Sequence, residues 1–106
     1  MVERDRPVNR IFTYEQAAEM LPEVQRLTSA AVEKLDEISA DAPPTTYEVI
    51  VNDWAEALKE MGIEVKGLWL IDFDNGSGYY CWQYPETSLQ YFYGYEEGFQ
   101  GRVKLN

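Results

Sequence analysis

The stretch LWLIDFDNGSGYYCWQY, residues 68–84, decides the fold. Leu68–Phe73 and Gly78–Tyr84 are rich in the large and aromatic side chains that suit a pleated, half-buried surface. Between them Asp74-Asn75-Gly76-Ser77-Gly78 is a turn. Asn and Asp bond their own backbone, and Gly takes a positive φ at no steric cost. Two such runs around such a turn predict an antiparallel hairpin. Pro85 to Thr87 makes a second turn and Leu89–Tyr93 a third strand, so the region reads as a three-stranded antiparallel meander.

Period-two alternation assigns the faces. Trp69, Ile71 and Phe73 share one side of the first strand, with Leu68, Leu70 and Asp72 on the other. Tyr80, Trp82 and Tyr84 oppose Tyr79, Cys81 and Gln83. Neither strand has a plainly polar side, so both faces of the sheet are expected to be at least partly covered. Eleven of the fifteen aromatic residues fall between Trp69 and Phe99. Each large ring buries about 150–250 Å². This is more than one sheet face hides, and it points to a second covered surface.

Upstream the period changes. Ala17, Leu21, Val24, Thr28, Ala31, Leu35 and Ile38 form a helical stripe with one polar interruption, Thr28. Thr13 with Gln16 makes a capping box, and Phe12 with Ala17 a hydrophobic staple. Pro22 lacks an N–H and is expected to kink or split this helix. Pro43 and Pro44 close the break after it. Thr45 with Glu48 reads as the next capping box. Tyr47, Val51, Trp54, Leu58 and Met61 form a second stripe, with Gly62 as C-cap. The β-branched run Val49 to Val51 favours a strand, but the stripe and caps outweigh it. The fold class is therefore α+β: an N-terminal antiparallel helical hairpin packed on a C-terminal three-stranded meander. The expected layout is a single domain over 1–106, with the hairpin at 13–62, the meander at 67–95 and a closing tail at 96–106. Met1 to Arg10 reads as an ordered arm or a frayed tail.

The 106 residues carry a net charge of −10. Phosphate binding needs a Lys/Arg patch, so nucleic acid is excluded as a partner, and anionic membrane surfaces are disfavoured. The lone Cys81 allows no internal disulfide and fits a reducing compartment. No apolar stretch approaches the about 20 residues of a spanning helix, and the first ten residues lack the apolar core of a secretory signal. The expected location is cytoplasmic.

Three ordered segments resemble domain of unknown function 2203 (DUF2203), a family of uncharacterised bacterial proteins. They are Phe12-Thr13-Tyr14-Glu15-Gln16-Ala17 running into Met20-Leu21-Pro22-Glu23; Gly62-Ile63-Glu64-Val65-Lys66 leading to Leu70-Ile71-Asp72-Phe73; and Tyr80-Cys81-Trp82 followed by Glu97-Gly98-Phe99-Gln100-Gly101-Arg102. The resemblance implies a helical hairpin followed by a β segment, and it implies no established activity. This chain departs from the family pattern in two places. Its hairpin between Pro22 and Gly62 is shorter, and Tyr93 stands near the position of a family His.

With no His and one Cys, zinc-type sites and His-assisted nucleophiles are absent. No catalytic residue, metal or cofactor is expected. Asp72, Asp74, Glu86, Glu96 and Glu97 could converge near the sheet ends on a hard cation. The loop from Asp72 to Gly76 lacks the far acidic residue of a calcium loop, however, and reads as a structural turn. Glu15, Glu19 and Glu23 form a ladder on the first helix that reads as a solvated face. In Glu97-Gly98-Phe99-Gln100-Gly101-Arg102 two readings stay open. Either Arg102 clamps a carboxylate or phosphate, or the glycines make a turn, Phe99 plugs the core and Arg102 pairs with Glu96 or Glu97. Cys81 is expected to be a buried thiol.

The function expected is a small non-catalytic binding or assembly module. It self-associates as a homodimer, or binds a protein partner, through the aromatic-rich surface. The candidate binding residues are Trp82, Tyr91, Tyr93, Glu97 and Arg102. The alternatives are a small-ligand-binding protein with an aromatic-lined pocket and, behind it, a carboxylate-metal enzyme.

Overall fold

A computed structural model describes residues 10–105, the side chain of Phe99 excepted. The N-terminal arm, but for Arg10, lies outside the described residues, as does the proposed role of the Phe99 ring. Two helices precede an antiparallel sheet. They are α1 (Tyr14–Asp36) and α2 (Pro44–Glu60), followed by β1 (Glu64–Gly67), β2 (Leu70–Asp74), β3 (Gly78–Gln83), β4 (Tyr91–Gly94) and β5 (Val103–Lys104). The strands lie side by side in chain order. A single 3-10 turn, Phe99–Gly101, separates the last two.

The α1 signals work as read. Thr13 and Gln16 cap each other reciprocally, and Phe12 and Ala17 are both buried. The helix runs unbroken through Pro22, so the split into two helices does not occur. Its buried side holds it on both flanks, with Ala17 and Leu21 before or beside the proline and Val24, Thr28 and Ala31 after it. Thr28 interrupts the apolar stripe for a reason. Its hydroxyl donates to the Val24 carbonyl at 2.7 Å and accepts the indole N–H of Trp54 at 2.8 Å.

The Thr45–Glu48 capping box is replaced. Pro43 is the N-cap, without a side-chain bond, and Pro44 opens α2. A proline in the first turn loses no hydrogen bond and arrives with a helical φ, so it outcompetes the later cap. At the other end Gly62 takes φ 85°. Its N–H bonds the Lys59 carbonyl at 3.0 Å and that of Ile63 bonds Leu58 at 3.1 Å, a Schellman closure. Ile63 and Leu58 are then buried together in the core.

The sheet has five strands rather than three. The additional β1 is short and charged, and its register shifts between Val65 and Gly67, which leaves Lys66 as a bulge. Leu68 and Trp69 belong to no strand. They form the turn into β2, with Trp69 in the left-handed region at φ 65°. β5 lies within the expected closing tail and pairs with Tyr91 and Phe92. Gly78 is required at the start of β3, because a Cβ there would strike the Tyr93 carbonyl oxygen.

The core lies between the helices and one sheet face. Ile71, Phe73 and Trp82 meet Phe12, Leu21, Val24, Trp54 and Leu58. Edge-on ring pairs tie the layers together: Phe12 with Phe73 at 5.1 Å and Trp54 with Trp69 at 4.7 Å. No helix among the described residues is long and apolar enough to cross a membrane.

Candidate binding site on the sheet face opposite the helices

Register turns alternation into a site. Glu64 pairs with Asp72, Asp72 with Cys81, Cys81 with Tyr91 and Tyr91 with Lys104. These residues form one row across all five strands, on the face opposite Ile71 and Trp82. The neighbouring row is Asp74, Tyr79 and Tyr93.

Asp72 sits at the centre and is fully buried. Its Oδ2 accepts the Tyr93 hydroxyl and lies 3.0 Å from the Lys66 ammonium. Its Oδ1 is buried with no hydrogen-bond partner among the described residues. Lys66 also reaches Glu64 at 3.6 Å. Its Nζ stands 3.9 Å from the centre of the Tyr79 ring and 5.9 Å from that of Tyr93. Tyr95 packs edge-on against Tyr79 and donates to Asp74 at 2.7 Å.

Arg102 closes the other end. Its guanidinium lies 3.8 Å over the Tyr91 ring, bonds Glu86 at 2.7 Å and approaches the Cys81 sulfur at 3.8 Å. Glu86 in turn accepts the Gln83 N–H at 2.9 Å. Among the described residues its ion partner is Glu86, across the Pro85 turn, and not Glu96 or Glu97.

The electrostatics follow from burial and from Asp72. Burial opposes the charge on Lys66, but the hydrogen bond and the charge of Asp72 outweigh it and hold the ammonium above the usual lysine range. Burial and then the charge of Asp72 push the Cys81 thiol up to about 12, against a pull from Arg102. Burial and the bond to Asp72 raise the Tyr93 hydroxyl. The bond to Asp74 lifts Tyr95 to about 12.

Of the residues singled out from sequence, Tyr91, Tyr93 and Arg102 lie in or beside this cluster. Glu97 does not. It is exposed, and its carboxylate accepts the Gly94 N–H at 2.9 Å in the tail turn. Trp82 lies on the opposite face, 1% exposed within the single chain, with its indole N–H donating to the Glu86 carbonyl. Tyr93, at 4% exposed, is likewise covered by its own chain. Lys66, Glu64 and Tyr79 escaped the sequence reading. The available signal was Asp72 itself, a lone carboxylate in the middle of an apolar run. Among the described residues no group of His, Cys, Asp and Glu is arranged to hold a metal.

The family model of an uncharacterised conserved protein, DUF2203, matches residues 40–105, from the interhelical loop to the end of the sheet. The chain belongs to this family. No curated protein and no solved structure matches it. In this DUF2203 chain the matched span contains every residue of the cluster, whereas α1 lies outside it. The segments that carry the resemblance supply Lys66, Asp72, Cys81 and Arg102 to one place.

Proposed function

We propose that this DUF2203 chain is a non-catalytic binding module that engages a protein partner through the tyrosine-rich sheet face around Asp72. One observation carries the reading. The face combines partly exposed tyrosines with a charge cluster whose thiol, phenols and cations are held protonated by burial or by neighbouring carboxylates. Acid–base and nucleophilic catalysis call for groups poised near the working pH. Here Cys81, Tyr79, Tyr93, Tyr95, Lys66 and Arg102 are all raised. The thiol stays a thiol and the lysine stays charged. Tyrosines with polar handles are enriched at interfaces.

The Oδ1 of Asp72, without a hydrogen-bond partner among the described residues, favours a second reading, a small ligand bearing a hydrogen-bond donor. The groove lined by Leu27, Ile50 and Trp54 between the helices holds about 150 Å³, below the size of ordinary ligand pockets.

The test is native mass spectrometry of the chain purified from its own cells, alongside Tyr95→Ala and the helix-surface variant Val49→Ala. A bound protein partner should be lost with Tyr95→Ala and kept with Val49→Ala. The reverse pattern, or a bare monomer throughout, would overturn the reading. A homodimer broken by Tyr95→Ala would identify the partner as a second copy.

A further inference from the structure

The same face, if it is the binding surface, tells what it binds. We infer that the seat filled by Lys66 is a recognition site for a lysine ammonium on a basic protein segment, and that Lys66 is its built-in competitor. The seat is complete. Asp72 contacts the ammonium at 3.0 Å and Glu64 at 3.6 Å, while the Tyr79 ring lies 3.9 Å away with Tyr93 beside it. Carboxylates supply the charge-assisted bonds, and ring faces attract the cation without competing for its N–H groups.

The occupant is held by an edge strand of the sheet. Lys66 is the bulged residue of the four-residue edge strand β1. The strand is joined to β2 through a turn in which Trp69 adopts φ 65°. The Lys66 side chain is 33% exposed, so it has a route out along the sheet edge, and its ammonium would leave into water. The vacated position would not remain an uncompensated buried charge, because the incoming ammonium takes the same bonds.

Two further observations point to an outside cation. The Oδ1 of Asp72 is buried with no hydrogen-bond partner among the described residues, so the carboxylate has capacity left for a second donor. The chain as a whole carries a charge of −10, and a basic segment would be drawn toward it. The seat favours lysine over arginine. A compact ammonium on a flexible stem is what it already holds, and a planar guanidinium does not reproduce that fit. A quaternary ammonium cannot make the 3.0 Å bond to Asp72. The tethered competitor lowers the apparent affinity in proportion to the fraction of time the seat is closed.

The test titrates wild type, Lys66→Ala and Lys66→Ala/Tyr79→Leu with a short single-lysine peptide, its arginine counterpart and spermidine, read by tyrosine fluorescence. Lys66→Ala should bind the lysine peptide about tenfold or more tighter than wild type, with the arginine peptide weaker. Tyr79→Leu should remove most of that gain. Equal binding by wild type and Lys66→Ala, equal affinity for the two peptides, or binding of spermidine alone would overturn the inference. If Lys66→Ala does not fold by itself, refolding in n-butylammonium but not in tetramethylammonium supports the seat, and refolding in neither overturns it. If Tyr95→Ala abolishes the native complex while these titrations fail, the seat is wrong and the binding face stands.

Discussion

Raising the pH from about 7.5 to about 10.5 should weaken the fold through Cys81, and the amount follows from its surroundings. The thiol is 0% exposed and pushed up to about 12, first by burial and then by the charge of Asp72. In the unfolded chain it titrates near 9.0. The folded value is the higher one, so the fold favours the protonated thiol. That stabilisation is fully present below the unfolded value and is lost as the pH climbs toward the folded one. Between the two, each pH unit costs about 1.36 kcal/mol, and at about pH 10.5 the loss from Cys81 alone is about 2 kcal/mol. Lys66 and Tyr93 are also raised and push the same way. Urea unfolding followed by tryptophan fluorescence at both pH values, on wild type and Cys81→Ala, isolates the thiol. Removing the sulfur has its own packing cost, but that cost does not change with pH. Wild type should lose about 2 kcal/mol more than Cys81→Ala across the interval, about 1 M in urea midpoint. Equal losses in the two proteins would refute the placement of a buried thiol beside the Asp72 side chain.

Two other outcomes are expected. Thr28→Val keeps the side-chain shape but leaves the Trp54 indole N–H buried without its acceptor, which should cost about 1–3 kcal/mol in thermal or urea unfolding. Adding Trp54→Phe should recover part of that loss, and strict additivity in the cycle would contradict the bond. At physiological salt the chain should not bind duplex or single-stranded DNA, given its −10 charge, and micromolar affinity in a titration would contradict this.

What the sequence disclosed was local chemistry. The Thr13–Gln16 box, the Gly62 closure and the Asp74–Gly78 turn are written in adjacent residues, and each forms as read. What it concealed depended on competition or distance. Two valid start signals stood side by side before α2, and Pro44 prevailed over Thr45. β1 is only four residues long and half of it is charged, too short for its alternation to stand out, and β5 has only two residues. Nothing in the residue type announces Trp69 in a left-handed conformation.

The site shows the same division. Alternation separated Asp72 from Ile71 and Phe73 within its own strand, but the row from Glu64 to Lys104 exists only once four registers are fixed. Lys66, which answers the buried carboxylate, belongs to the strand that could not be read. The surplus of rings also acquires a physical reason that a count of aromatics cannot supply. Lys66 lies against Tyr79 and Arg102 against Tyr91. A ring face holds a cation without using up its N–H groups, so each cation stays free to bond a carboxylate, Asp72 in one case and Glu86 in the other. Charges that would be costly to bury on an apolar sheet are thereby neutralised in pairs. The two tyrosines that make this arrangement possible, Tyr79 and Tyr91, are also partly exposed, so the same rings pair the charges and form part of the surface.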